Sequence, residues 1–288
     1  MKPHLHIVPR ETDCDYLARH HTLPNFGTTW HYHPELELHY IIRGQGVRFI
    51  GDNVNNFNDG ELLLLGKNLP HMWRCNDNYF LEDSKLSAEA VVVQFLTNFM
   101  GEDFLKKPES EPIIKLYKQA KNGLIIEGET REKIISLMHQ SVKKDSLSRF
   151  LLIFSMINIL SKSNEMRPIC TGHIVYHTNH DEKERINKVC SYTLQNYKKN
   201  IDLEEIASIA NLSSTSFCRY FKAKTNKTFR SFLIEIRISH AKRMLIEKKS
   251  RTTESICFEC GFNNRSNFFR HFKSITGHTP IEYRELFS

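Results

Sequence analysis

Between about residue 25 and residue 95, apolar residues come in short β-branched or leucine-rich runs, "LELHYII", "VRFIG", "ELLLLG" and "AVVVQF", separated by "RGQG", "GDN" and "FNDGE". Runs of this length bounded by Gly, Asn and Asp predict strands joined by tight turns, with Asn58-Asp59-Gly60 the strongest turn signal. Several short strands at close spacing predict an antiparallel barrel or sandwich. From about Asp103 to Ser163 the apolar spacing becomes helical. "EPIIKLYKQAKNG" sets Ile113, Ile114, Tyr117 and Ala120 on one face with Gly123 as a stop, and "REKIISLMHQSV" and "SLSRFLLIFSMINILSKS" follow. The last is apolar round more of its circumference than one packing face needs, which predicts a dimerisation helix around Arg149–Leu160. Residues 164–184 have no clear period and read as a linker. His173, His177 and His180 lie in it, as a metal cluster or, the simpler reading, as solvated side chains.

The last hundred residues contain an internal repeat. "IASIANLSSTSFCRYFKAKTNKTF" aligns with "ICFECGFNNRSNFFRHFKSITGHTP": Ile206 pairs with Ile256 at an offset of 50, and Phe217, Arg219, Phe221, Lys222 and Thr228 pair with Phe268, Arg270, Phe272, Lys273 and Thr279 at 51. The extra residue falls in the turn of the second copy. Each copy reads as helix, tight turn, helix. Asp202 with Glu205 starts the first, Asn211 and Gly261 occupy the turns, and Ser213 and Asn263 or Asn264 cap the second helices. Phe217 and Phe221, like Phe268 and Phe272, share a face at i, i+4. "FLIEIRISHAKRMLIEKK" between the copies predicts one tying helix, with Ile234, Ile238, Ala241 and Leu245 along one side. Thr279-Pro280-Ile281-Glu282 starts a last helix.

Charge sharpens this division. Residues 181–288 hold 20 Lys and Arg against 12 Asp and Glu, out of 40 and 33 in the whole chain of 288, so the rest is close to neutral. A basic segment with small polar residues on its second helices predicts a nucleic-acid-binding module beside something else, rather than a helical array for protein partners. No apolar run reaches the length of a membrane span, and the N-terminus lacks a secretory apolar core, so a cytoplasmic protein is expected. The seven cysteines, at 14, 75, 170, 190, 218, 257 and 260, form no framework and read as free, small hydrophobes. Cys257-x-x-Cys260 lies inside the helical repeat, which favours core over redox or zinc chemistry.

From about Arg185 to Leu286 the chain resembles the AraC/XylS family of bacterial transcription regulators. "RISHAKRML" followed by "ICFECGFNNRSNFFRHFKSITGHTPIEYR" is close to that family's signature, with Asn226 and Cys257 as mild departures from glycine and alanine. The resemblance implies an α+β chain: an N-terminal cupin-like antiparallel β-barrel with a helical dimerisation element (1–165), a linker (166–184), and a C-terminal all-α domain (185–288). That domain would carry two helix-turn-helix units, about 203–224 and 253–274, joined by a linker helix. It also implies base contacts from Thr215, Cys218 and Arg219 in the first unit and from Arg265, Ser266 and Arg270 in the second. The arginines suit guanine O6 and N7, and Lys222 and Lys273 suit phosphate.

"HYHPELELHYIIRG" carries the remaining chemistry. His31, His33 and Glu37 stand ahead of Gly44 at H-x-H-x₃-E-x₆-G spacing, and Gly60 precedes His71 by eleven residues, with Gly66 and Asn68 where a cupin's second motif has proline and glycine. Odd numbering sets 31, 33 and 37, with Glu35 and His39, on one face of a strand. In cupin enzymes the corresponding residues bind a divalent metal, and zinc, nickel, manganese and iron all suit this donor set. In sugar-sensing relatives the same residues line an effector pocket, so metal site, metal-free pocket and vestigial barrel all stay open. The expected function is a sequence-specific DNA-binding regulator controlled by a small molecule, a sugar or related metabolite, requiring no cofactor. Its expected partners are operator DNA, the effector, a second copy of the chain and, for an activator, RNA polymerase. The alternative is a cupin metalloenzyme, a dioxygenase or isomerase, with an accessory DNA-binding domain.

Overall fold

A computed structural model describes residues 15–170, 180–247 and 250–287, without the side chains of 180–184 and 187. His173, His177 and Cys14 lie outside them. The described chain divides into two units, one made of residues 15–53 and 57–170 and the other of 180–287 together with 54–56.

The first unit strings together β1 (Tyr16–Leu23), β2 (Leu36–Arg43), β3 (Gly46–Ile50), β4 (Asn53–Phe57), β5 (Leu62–Leu65), β6 (His71–Cys75) and β7 (Ala88–Phe95), then α1 (Glu111–Ala120), β8 (Leu124–Ile126), α2 (Gly128–Val142), α3 (Ser146–Lys162) and β9 (Met166–Pro168). Six strands form one sheet in the order β1-β7-β2-β5-β8-β9 and three form another in the order β4-β3-β6. β1 and β2 both pair with β7, β5 with β2 and β8, β9 with β8, and β3 with β6, all antiparallel. The expected barrel is therefore built as two sheets, with His31, ahead of β2, bridged to His71 of β6 in the smaller one.

The larger sheet is buried on both faces, which is why its strands read as near-continuous apolar runs. Leu36, Leu38, Leu62, Leu64, Val91, Val93 and Phe95 face Ile113, Leu116, Ile134, Met138, Ile153, Met156 and Leu160 of the three helices. Ile41, Leu63, Leu65 and Ile125 face inward, with Ile50, Phe57, Trp73 and Cys75 of the smaller sheet. Side-chain alternation separates the two sets.

Two expectations need correction. The first fold does not end at 165: β9 pairs with β8, and Ile169 and Cys170 are buried in the inner core, so it runs to at least Cys170. A three-residue strand carries too few side chains to show a period. Nor do residues 31–39 make one strand. Pro34 lies in a bend before β2, where it needs to donate no ladder hydrogen bond.

The second unit consists of α4 (His180–Asn196), α5 (Leu203–Ile209), α6 (Ser214–Thr225), α7 (Phe229–Glu247), α8 (Thr253–Glu259), α9 (Arg265–Thr276) and α10 (Pro280–Phe287). Side chains cap the helices where the repeat predicts: Asp202 accepts from Glu205 N, Ser213 from Ser216 N and Asn264 from Asn267 N. Thr252 caps α8 in the same way. Four residues separate α5 from α6 and five separate α8 from α9, so the extra residue is in the turn. The first half of α7 packs on copy one, Phe232 and Phe229 meeting Phe221 at 5.4 and 5.6 Å. Its second half, Ile238, Ala241, Met244 and Leu245, packs on Ile256, Cys257, Cys260, Phe268 and Phe272 of copy two. The two C-x-x-C cysteines are core, and burial pushes both thiols up, Cys260 to about 12. Cys218 is exposed.

No helix among the described residues is long and apolar enough to cross a membrane.

Candidate functional site

Both groups of candidate residues can now be located. In the second unit, Phe217, Phe221, Phe268 and Phe272 are fully buried. Anchoring one face of α6 and of α9 in this way turns the opposite face outward. Thr215, Cys218, Arg219 and Lys222 on α6, and Arg265, Ser266, Arg270 and Lys273 on α9, are all exposed. Arg265 lies over the Phe269 ring at 5.3 Å, and Arg270 donates to Asn267 Oδ1 at 3.0 Å. Between α6 and α9 runs a cleft of about 590 Å³, floored by Phe229, Leu233 and Ile234 of α7 and edged by Cys218, Asn267 and His271.

In the first unit, the four residues of the two sequence motifs come together. His31, His33 and His71 bring ring nitrogens within 4.8 Å of one another. Glu37, at the start of β2, accepts from His33 Nε2 at 2.9 Å, His39 Nδ1 at 2.8 Å and the Gln94 amide at 2.8 Å, and lies 3.9 Å from His71 Nε2. Burial opposes ionisation of this carboxyl, but its bonds to His33 and His39 and the neighbouring His71 hold it well below the usual carboxylate range. Burial also opposes protonation of His33, yet Glu35 and Glu37 outweigh it and push the ring up to about 9. The pair is a buried imidazolium–carboxylate. His71 goes the other way: burial and then His31 hold it well below its ordinary value.

Two backbone carbonyls orient the remaining rings. His31 Nδ1 lies 3.0 Å from Thr29 O and His71 Nδ1 2.7 Å from Leu69 O, so each Nδ1 carries the proton and each Nε2 presents a lone pair. His71 Nε2 is buried and without a hydrogen-bond partner. This donor set fits a divalent cation. Asn68, where the cupin motif has glycine, sits at φ 59° just before that loop turns into β6. Asn tolerates the left-handed conformation better than most side chains, so the substitution keeps the turn.

A cavity of about 420 Å³ opens beside this cluster, lined among others by Arg19, His21, Phe26, His39, Trp73 and Gln94. His39 and Trp73 stack at 3.9 Å, with Phe26 edge-on to His39. Sequence patterning missed Arg19, His21, Trp73 and Gln94. Little signal was available: Arg19 and His21 share parity on β1, but His20 and Thr22 on the other parity are polar too, and Gln94 alone stands out as the polar residue in "AVVVQF".

The architecture is an antiparallel sheet unit with a pocket, followed in the chain by paired helix-turn-helix units. Comparison with known proteins agrees with it. Residues 206–286 match the family model described as helix-turn-helix domain, and residues 14–80 match the AraC-like ligand binding domain. The chain thus carries a helix-turn-helix domain in its second unit and a segment similar to the AraC-like ligand binding domain in its first. An uncharacterized HTH-type transcriptional regulator in the cgkA 5' region of Pseudoalteromonas carrageenovora is 35% identical over 97 residues, 34% of this chain and 57% of the relative. The uncharacterized HTH-type transcriptional regulator YdeC of Bacillus subtilis (strain 168) is 30% identical over 105 residues, 36% of each chain. The chain thus spans little more than half of the first relative's length and about a third of the second's. Among solved structures, ToxT from Vibrio cholerae matches 95% of this chain and 99% of its own at 16% identity, with a TM-score of 0.37. At that score the likeness carries no weight.

Proposed function

We propose that the chain binds operator DNA through α6 and α9 and that a small molecule in the barrel cavity controls this binding. The carrying observation is the pair of capped helices, each anchored by two buried phenylalanines, that turn all eight expected contact residues outward. Duplex DNA laid across both would bring its backbone over the intervening cleft, between two major grooves. In this reading the N-terminal unit senses and dimerises, and 185–288 binds DNA. Such a regulator works in the cytoplasm, and as an activator it would also engage RNA polymerase. The family models and the relatives' names favour this over the metalloenzyme alternative.

The test uses the full chain and a duplex selected from random sequence. Arg270→Ala is expected to reduce discrimination between selected and scrambled duplex by about 1–3 kcal/mol, whereas Lys273→Ala weakens both about equally. Unchanged discrimination in Arg270→Ala would overturn the orientation of α9.

The barrel is read as an effector pocket that needs no metal. A divalent ion would be held by His31, His33, Glu37 and His71, where it would supply a Lewis-acidic point for a ligand oxygen. Against a requirement for it stands Glu35, whose Oε2 lies 3.4 Å from His33 Nδ1. With Glu37 on the other nitrogen, His33 shares its protons with two carboxylates, and an ion would bind there only by displacing one of those protons.

Dimerisation is assigned to α3. Phe154 is half-buried against Phe104 at 6.0 Å and so is not the residue to change. Leu147 and Leu151, one turn apart, are 69% and 55% exposed. Leu151→Glu is expected to shift a dimeric chain to monomers in sedimentation velocity. A wild-type chain that is itself monomeric at micromolar concentration would refute the assignment.

A further inference from the structure

Positive charge and hydrogen-bond donors gather on the rim of the cleft between α6 and α9. Arg230, exposed near the start of α7, and His271 of α9 line it, and none of the described residues lining it is Asp or Glu. Asn264 and Asn267 line it too. The Asn264 side-chain oxygen accepts from Asn267 N and the Asn267 oxygen from Arg270 Nη2, each at 3.0 Å, so the amide N–H groups are what both still offer. Arg237, half-buried in the same cleft, donates to the carbonyl oxygens of Tyr197 and Lys199 at 2.8 and 2.7 Å, bonds that occupy its N–H groups and leave its charge. Such a rim suits a group that carries negative charge and only accepts hydrogen bonds, and a phosphodiester is both.

The surroundings of His271 have the same sign. Burial, then Arg270 on its own helix and Arg230 across on α7, hold the ring below its ordinary value. α8 and α10 also pack on α9. On α8, Glu254 lies near Cys257 and Glu259 pairs with Arg251; on α10, Glu282 acts on Lys273 and His278. The charged groups that act on His271 are thus both cations. Its ring is mostly neutral in the free chain at neutral pH, and a neighbouring phosphate would favour its protonated form.

We infer that Arg230 and His271 close together on one phosphate of the DNA backbone, where it crosses the cleft between the two major grooves. This deepens the DNA-binding reading and rests on it. Arg230 comes from the half of α7 that packs on copy one, and His271 belongs to copy two. A phosphate held by both is therefore a contact that only the tied pair of units can make, and it sets the register of α6 and α9 along the duplex. It carries no sequence information of its own. Because the His271 ring takes up a proton as the phosphate arrives, affinity rises as pH falls and levels off below the free ring's own value.

The test is fluorescence anisotropy of the full chain with the selected and scrambled duplexes over a range of salt. Arg230→Ala is expected to weaken both by the same factor, roughly tenfold, the size of one charge-assisted hydrogen bond. The slope of log affinity against log salt should fall by about one, and Arg230→Lys should restore it. His271→Ala is expected to weaken both duplexes near about pH 6 and change little near about pH 8, flattening the rise in affinity on acidification. Uncharged methylphosphonate is then put in place of one phosphate at a time between the two grooves, near about pH 6. At one position it is expected to weaken the unaltered chain and to add nothing to either variant. Coupling to only one of the two residues overturns the shared contact. A larger loss on the selected duplex than on the scrambled one makes Arg230 a base reader and overturns the backbone assignment. An unchanged salt slope in Arg230→Ala, with Arg270→Ala still losing discrimination, overturns the inference and leaves the DNA reading standing; silence in all three variants removes both. Unfolding midpoints of the variants, expected to match the unaltered chain, separate these losses from loss of fold.

Discussion

Glu37→Ala is expected to destabilise the N-terminal unit by about 3–5 kcal/mol, the usual cost of removing one partner from a buried ion pair. The carboxylate is 3% exposed and accepts from His33, His39 and Gln94 together. Its loss leaves three buried donors facing one another, two of them on rings. At about 2–4 °C per kcal/mol for a unit of this size, the unfolding midpoint should fall by roughly 6–20 °C. Glu37→Gln, which still accepts through its carbonyl oxygen, should fall less. Thermal unfolding followed by tryptophan fluorescence reads this directly, because Trp30 and Trp73, the only two tryptophans, are both in this unit. An unchanged midpoint in Glu37→Ala would mean that the cluster is not an ion pair.

The second large effect is expected in the turn of copy two. Gly261 has φ 85°, and a Cβ there would lie 2.6 Å from Tyr197 O and 2.8 Å from Lys198 O. These are backbone atoms beyond the end of α4, so they cannot swing aside. Left-handed strain of about 1–2 kcal/mol adds to overpacking of about 1–3 kcal/mol, giving about 2–5 kcal/mol for Gly261→Ala. Gly277→Ala is the control: φ is 79° there too, but nothing lies within 4 Å of the added carbon, so only the strain applies. Denaturant melts followed by circular dichroism, together with duplex binding, should separate the two variants. Equal stability would show that the α4 end yields to copy two. Asn211 explains why the restriction is local, since it holds the corresponding turn of copy one at φ 52° with a side chain.

The helical half of the chain was far more legible than the sheet half. Phe217, Phe221, Phe268 and Phe272 announce their faces because a helix repeats every 3.6 residues and the motif occurs twice. Even the one-residue insertion shows in the sequence, where the offset between the copies changes from 50 to 51. In the sheets, β5 and β7 are buried on both faces and so carry no alternation, whereas "HMWRC" of β6 has little β-branched character. The strands β8 and β9 are too short for any period. β1 was missed outright, because "YLARHHTL" does not alternate: Arg19 and His21 line a cavity on one face while His20 and Thr22 are exposed on the other, so both faces are polar.

The candidate site divides along the same line. His31, His33, Glu37 and His71 converge as their spacing predicts, though around a bend at Pro34 rather than along one strand. Arg19, Trp73 and Gln94 could not be assigned, since what brings them there is the pairing of β1 with β7 and the packing of one sheet on the other. Long-range register leaves no mark in a local window. On α6 and α9, burial of the aromatic face follows from spacing alone, and the outward positions follow from burial.

The two copies of the repeat are not duplicates in what they present. α6 turns out a hydroxyl, a thiol and one arginine; α9 turns out two arginines and a serine, after a turn one residue longer. On the proposed assignment, one protomer meets DNA with a head unlike its tail. Its target then has a direction: reversing the site end for end exchanges which groove faces the thiol and which faces the paired arginines. The orientation of the bound chain relative to a neighbouring gene is thereby written into the DNA, and a dimer would need its two sites arranged with that polarity in register.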